Sequence, residues 1–153
     1  MTTPALQLIV EPPCWEMSAP DLAHFIAELG DFGQSGYVLS LDGVIAADVE
    51  TYVRARPSTI ENRTDQGFLK MRSKVFFMPI TGESAQGLAR LSENYADPEV
   101  CDHLRVYEGN RLILSWHDVP FDPVYLGSEV AEASVRKLSA RLGCRYVFVP
   151  AAG

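Results

Sequence analysis

Asp102 and His117 are the two residues whose types and spacing could do chemistry together. They flank two apolar segments that meet at Gly109-Asn110, a dipeptide that strongly predicts a two-residue hairpin turn. In that register Asp102 lies directly opposite His117, with Cβ atoms roughly 4.5–5.5 Å apart. A carboxylate that orients an imidazole is the base half of a hydrolytic triad, so the pattern predicts a catalytic pair.

The surroundings of this pair leave its role open. Ser115 shares the predicted face of His117, but no GxSxG elbow marks it as a nucleophile, and polar pairs at hairpin ends are common without catalysis. His103 falls on the other face, opposite Trp116, so the two histidines do not converge. With three cysteines and no CxxC pair, we expect no metal and no cofactor.

A strip of basic residues offers a second kind of site. Residues 54–74 hold six basic and two acidic side chains, whereas residues 1–53 hold eight acidic side chains and no Lys or Arg. The simpler interpretation is that this strip packs against acidic parts of its own chain. The alternative is an anion site, whose candidate residues are Arg54, Arg56, Lys70 and Arg72.

The segment from Trp116 to Gly127 is the most distinctive stretch of the chain. Two prolines restrict its shape, and aromatic residues alternate with carboxylates along it. Rigid aromatic loops are typical of recognition surfaces. An equally good interpretation is a tethering loop whose aromatics pack into the core. The predicted binding residues are Trp116, Asp118, Phe121, Asp122 and Tyr125.

The elements that position these residues predict an α+β fold. Over about residues 75–149 the patterns follow the order β-α-β-β-α-β, which resembles a ferredoxin-like arrangement and by itself implies no function. The predicted helix before it, about residues 19–29, ends at Gly30. Leu6–Val10 is predicted as a strand, and residues 44–56 fit either a helix or a strand, with β-branched residues favouring a strand from 49 onward.

The predicted C-terminal strands are apolar on both alternating faces. Val75 and Phe77 point one way, and Phe76, Met78 and Ile80 point the other. A sheet of this kind cannot leave one face in water. The N-terminal β/α half must therefore cover or extend the sheet, or a second copy of the protein must do so.

Composition and charge exclude several classes of protein. The 153 residues are 47% hydrophobic, which predicts a single domain over 1–153, with possible sub-lobes 1–70 and 71–153. A formal charge of −7 disfavours nucleic acid and anionic membranes. No uncharged stretch exceeds ten residues, and no signal peptide is recognisable, so we expect a cytoplasmic, bacterial-type protein.

These observations favour binding over catalysis. We expect an acidic module that binds another protein or a second copy of itself, in the manner of an inhibitor or immunity protein, with its charge steering electropositive targets. The alternative is a small enzyme or small-ligand binder that uses Asp102 and His117 on an anionic substrate. The sequence leaves open whether any catalysis occurs.

Overall fold

The protein has an α+β architecture, as the sequence predicts, and the strands that the structure describes form one antiparallel sheet. The computed structural model describes residues 6–32, 36–58, 60, 63–66 and 72–152, and it describes only the backbone of residues 63–66, 72 and 73. In chain order the elements are β1 (Cys14–Met17), α1 (Leu22–Phe32), β2 (Tyr37–Gly43), α2 (Ala47–Arg54), β3 (Arg63–Gln66), β4 (Arg72–Pro79), α3 (Gly82–Ser92), α4 (Asp97–Val100), β5 (His103–Glu108), β6 (Arg111–Trp116), β7 (Val124–Gly127), α5 (Glu132–Leu142) and β8 (Tyr146–Val149).

The strands of the two halves of the chain are interleaved in this sheet. Their order is β3-β4-β2-β5-β6-β7-β1-β8, and each of these pairings is antiparallel. Strand β2 lies between β4 and β5, and β1 lies between β7 and β8. The N-terminal half therefore contributes two interior strands, β1 and β2, to the sheet. Residues from both halves share one core.

The ferredoxin-like unit predicted over about 75–149 requires a different strand order. In that unit the third strand lies between the first two, and the fourth lies beside the first. Here β2 occupies the position between β4 and β5, β6 pairs on the far side of β5, and β8 pairs with β1. The predicted order of elements is right only in part, because a short helix, α4, precedes β5 and a strand, β7, forms at Val124–Gly127 where a loop was predicted. The N-terminal strands occupy the positions that would have closed the unit.

The helices cover one face of the sheet, and within this layer α1 packs against α3 and α5. Its apolar stripe is fully buried, and α1 begins after Asp21, whose Oδ2 accepts the His24 N–H at 3.0 Å. The predicted end at Gly30 is wrong, because the helix continues to Phe32. A Cβ at Gly30 would lie only 3.2 Å from the Cα of Gly82, so glycine lets α1 pack against the start of α3.

The ambiguous segment 44–56 contains helix α2, so the preference for a strand was wrong. Val49 and Val53, four residues apart, are both buried against the sheet. On the outer side Glu50 pairs with Lys74 of β4 at 3.0 Å and with Arg54 at 3.5 Å. Burial of one side at helical spacing outweighs the β-branched content here. Among the helices that the structure describes, none has the length and apolar composition needed to cross a membrane.

Residues 6–13, which we call the N-terminal strap, cover the other face of the sheet. The predicted strand Leu6–Val10 is not formed, because the strap bonds to side chains of the sheet instead of to a strand. Gln7 O accepts the Tyr107 hydroxyl at 2.7 Å and Leu8 O accepts Arg105 Nε at 2.7 Å. The Val10 N–H donates to Ser115 Oγ at 3.0 Å. The strap shields a second apolar cluster that includes Val10, Cys14, Val38, Phe77, Tyr107 and Leu112.

Replacing Ser115 by Ala tests how firmly the strap is held. The substitution removes the acceptor of the Val10 N–H and leaves a buried amide unpaired, so we expect the free energy of unfolding in urea to fall by about 1–3 kcal/mol.

Ser40→Ala is the matched control for this measurement. Ser40 lies in the same row of the sheet and is 1% exposed, yet its hydroxyl has no hydrogen-bond partner among the described residues. We expect this variant to be as stable as the parent or slightly more stable. Equal losses in the two variants would refute a specific role for the bond between Val10 and Ser115.

Candidate functional site

The β5–β6 hairpin carries an irregularity that decides the geometry of the candidate site. Glu108 pairs with Arg111, as the turn at Gly109-Asn110 predicts. The register then shifts between Val106 and Tyr107, so that Arg105 pairs with Ser115 and Leu104 pairs with Trp116. A β-bulge adds one residue to one strand and moves all later pairings by one. The predicted register is therefore wrong beyond the bulge.

The shift brings His103 next to His117. Their rings stack with centroids 3.9 Å apart and planes only 7° from parallel. His103 Nδ1 accepts the Asp118 N–H at 2.9 Å, and this bond requires that Nδ1 carries no proton. On the other side of β5, Asp42 of β2 is the register partner of His103. The two histidines, which the sequence placed on opposite faces, thus share one row.

Burial and the neighbouring charges shift the pKa of His103 in opposing directions. Burial of the ring, followed by the nearby His117, lowers the pKa of His103, and Arg105 acts in the same direction. Asp42 and Asp102 oppose this effect. Arg105 itself is buried and pairs with Asp42 through Nη1 at 3.3 Å. The result is a histidine that resists protonation although two carboxylates lie near it.

The predicted catalytic pair does not have the geometry that its hypothesis assumed. The Asp102 carboxylate lies beside Gly43 of β2, because a Cβ at Gly43 would be 3.0 Å from Asp102 Oδ2. This side of β5 is opposite to β6 and His117. Ser115 Oγ is engaged by the strap through the Val10 N–H. The assignment of Asp102 and His117 as catalytic residues thus has no support from the hydrogen bonds of the described residues.

Metal binding also has no support from the described part of the chain. No group of three or more His, Cys, Asp or Glu side chains there is arranged to hold a metal ion. The cleft between α1 and α5, of about 170 Å³, is lined by residues outside the predicted sites. Arg141 spans it with ion pairs to Glu28, at 3.2 Å, and to Asp31.

The segment 116–127 divides into a buried anchor and one projecting side chain. Trp116 is fully buried, and its Nε1–H donates to Asp122 O at 2.8 Å. Phe121, in contrast, is 80% exposed. The Tyr125 hydroxyl donates to Glu16 Oε1 at 3.0 Å, and Asp118 is exposed. Trp116 thus packs into the core, as the tethering interpretation predicts, whereas Phe121 is exposed.

Asp118 adopts a backbone conformation that is rare for a non-glycine residue, with φ of 54°. Its C=O accepts the Phe121 N–H at 2.8 Å, and its own N–H is bonded to His103. These two bonds stabilise the left-handed conformation, which Asp tolerates better than most residues. The loop that carries Phe121 is therefore tied to the histidine pair through Asp118.

The basic strip is engaged with its own chain where the structure describes it. Arg54 pairs with Glu50 and lies over the ring of Phe76 at 5.7 Å. Arg56 stacks on Tyr52 at 3.6 Å from the ring centroid. Lys70 lies outside the described residues, and Arg72 is described only by its backbone in β4.

Comparisons with known proteins add no further guide. No protein-family model matches the chain, and no curated protein and no solved structure is significantly similar to it.

Sequence reasoning placed His103 on the wrong face, because no residue in β5 or β6 signals the bulge. It missed the edge strand β8 as a surface, although the signal was present. The segment Tyr146–Val149 is apolar and uncharged.

Protonation of His103 should destabilise the fold. Since its pKa in the folded state lies below the unfolded value of about 6.5, the unfolded chain binds more protons in that window. The free energy of unfolding should therefore fall as the pH decreases from about 7 to about 5. Replacing His103 by Asn, whose amide oxygen can accept the Asp118 N–H, should flatten this part of the profile, measured by urea denaturation at each pH.

Ser40→Ala is the control for this measurement, since it changes a buried side chain in the same sheet that does not ionise between about pH 5 and pH 7. It should leave the slope of the pH profile as in the parent protein. Profiles of the parent and the His103→Asn variant that run parallel would contradict the role assigned to His103.

Proposed function

We propose that this protein is a binding module that recognises another protein through residues 118–123, which we call the Phe121 loop. One observation carries the proposal: Phe121 is 80% exposed, whereas the nearby apolar residues Trp116, Val119 and Val124 are buried. Aromatic side chains that are exposed in the free protein and become buried at the centre of an interface contribute much of the binding energy. A large aromatic ring held in water costs free energy unless a partner covers it.

Rigid presentation of Phe121 supports the same function. The loop is closed by the Trp116–Asp122 bond, the Phe121–Asp118 bond and the Asp118–His103 bond. A loop that is already ordered loses little conformational entropy when it binds, so more of the contact energy appears as affinity.

Charge indicates the kind of partner. The carboxylates of Asp118 and Asp122 flank Phe121, and the whole chain carries a formal charge of −7. The complementary surface is an electropositive protein with an apolar recess, and opposite charges would accelerate association. This is the relationship expected of an acidic inhibitor or immunity-type protein with its target.

We place this function in the cytoplasm. Cys14, Cys101 and Cys144 are all free, and Cys14 and Cys101 are buried. Burial raises the pKa of the Cys101 thiol, so it behaves as a small apolar side chain. Unpaired cysteines suit a reducing compartment.

The alternative, an enzyme or small-ligand binder that uses Asp102 and His117, has weaker support. Its favourable observation is the perturbed His103 beside His117, since shifted pKa values cluster at functional sites. Against it, the Asp102 carboxylate lies on the far side of β5. Replacing His117 by Ala distinguishes the two, because the binding function should tolerate it and the enzymatic one should not.

Phe121→Ala should weaken partner binding and leave the fold intact. To find the partner, a photoreactive benzoylphenylalanine is placed at position 121 in cells that make the protein, and the cross-linked protein is identified by mass spectrometry. Binding of that purified protein is then measured by calorimetry. We expect Phe121→Ala to reduce affinity at least tenfold, about 1.4 kcal/mol, and added salt to weaken binding further.

Position 44 supplies the control, because Val44 is also exposed, at 55%, and lies outside the Phe121 loop. The photoreactive residue there should not capture the same partner, and Val44→Ala should bind it like the parent. Capture from both positions, or equal affinity of the Phe121→Ala variant, would overturn the proposal.

A further inference from the structure

Strand β8 forms one edge of the sheet among the residues that the structure describes, and apart from its short length it lacks the features that usually protect such edges. Its four residues include no charge and no proline. Val147 is 55% exposed on one face of the sheet, and Phe148 is 46% exposed on the other. Natural edge strands are commonly protected by lysine, proline, a bulge or a covering loop. An apolar edge without these features is able to pair with another strand.

A hydrogen bond at the start of β8 shows which of its backbone groups point towards β1. The Ser18 N–H donates to Arg145 O at 2.9 Å, so Arg145 directs its backbone groups towards β1. Direction alternates along a strand, and Val147 and Val149 therefore also face β1. Tyr146 and Phe148 direct their N–H and C=O groups away from the sheet, where another strand could bind them.

We propose that β8 pairs with β8 of a second copy, antiparallel and around a two-fold axis at Val147. In this register Tyr146 of each copy lies opposite Phe148 of the other, and the two pairs exchange four backbone hydrogen bonds. Val147 meets Val147 of the second copy at the axis, as a pair without direct hydrogen bonds. The two sheets become one continuous sheet across the interface.

The side chains favour a second copy over an unrelated strand. The pairing creates two aromatic contacts between Tyr146 and Phe148, beside Trp15, whose ring is already 5.0 Å from that of Phe148. Aromatic cross-strand pairs stabilise sheets. Each Arg145 lies opposite Val149, so no like charges meet. This pairing places the middle residue of the strand against the same residue of the second copy. Val147 is uncharged, so it meets this requirement.

Overall charge does not prevent this association. The nearest carboxylate on that face, Glu16 of β1, is the register partner of Val147. Three strand spacings, about 14 Å in total, separate it from Glu16 of the second copy. This distance exceeds the Debye length of about 8 Å at physiological ionic strength, so the repulsion is largely screened. Because the paired strands are short, the dimer is weak and depends on concentration.

Val147→Lys tests the register at the two-fold axis. It places two ammonium groups against each other in the dimer, while the side chain remains in water in the monomer. By sedimentation velocity from about 10 μM to about 1 mM, we expect the parent to shift towards a dimer and the variant to remain a monomer. Val44→Lys, at a position with the same exposure, should dimerise like the parent.

A cysteine at the axis gives a second, independent readout. In a Cys144→Ser background, Val147→Cys places two thiols at a pair whose Cα atoms are about 4.5 Å apart, within disulfide range. Mild oxidation should yield a covalent dimer within minutes, and Val44→Cys in the same background should not.

Two results would overturn the proposal: a monomeric parent protein at about 1 mM, or cross-linking that is equally fast at positions 44 and 147. The inference is independent of the Phe121 loop. The Phe121→Ala variant should dimerise like the parent, so failure of one proposal leaves the other unaffected.

Discussion

Both faces of the central sheet are apolar, and each must be kept from water for the strands to hold together. Helices cover one face, and the N-terminal strap covers the other. Arg105 joins strap and sheet, because its buried guanidinium donates to Leu8 O and pairs with Asp42. A buried charge that lost such partners would be strongly destabilising. The strap is therefore held by polar bonds that only the folded sheet can supply, and it shields the apolar cluster beneath it.

One bulge in β5–β6 connects this covered sheet to the candidate binding surface. It places His103 beside His117 and lets His103 accept the Asp118 N–H. Asp118 begins the loop from which Phe121 projects, while Trp116 closes that loop from the core side. Stability of the hairpin and presentation of Phe121 thus depend on the same few contacts. Three hydrogen bonds therefore fix the loop from which the exposed Phe121 ring projects.

Several local structures depend only on neighbouring residues. Thr81 caps α3, accepting the Ser84 N–H at 2.9 Å, and Gly143 ends α5 in a left-handed conformation with φ of 67°. The hairpin turn begins in the expected register at Glu108 and Arg111. Each of these outcomes depends on residues within a few positions of one another. Local reasoning failed at residues 44–56, where the β-branched content favours a strand but burial of Val49 and Val53 on one side produces a helix.

By itself the sequence determined the α+β class, the need to cover both faces of the sheet, and the aromatic and acidic composition of the Phe121 loop. The tertiary structure decided the strand order, the position of the bulge, and which strand was left at an edge. The physical reason is that turn chemistry, capping and periodicity act between neighbours along the chain. Hydrogen bonds between strands, in contrast, are made by backbone groups that every residue carries, so strand neighbours depend on which edges the rest of the chain leaves free.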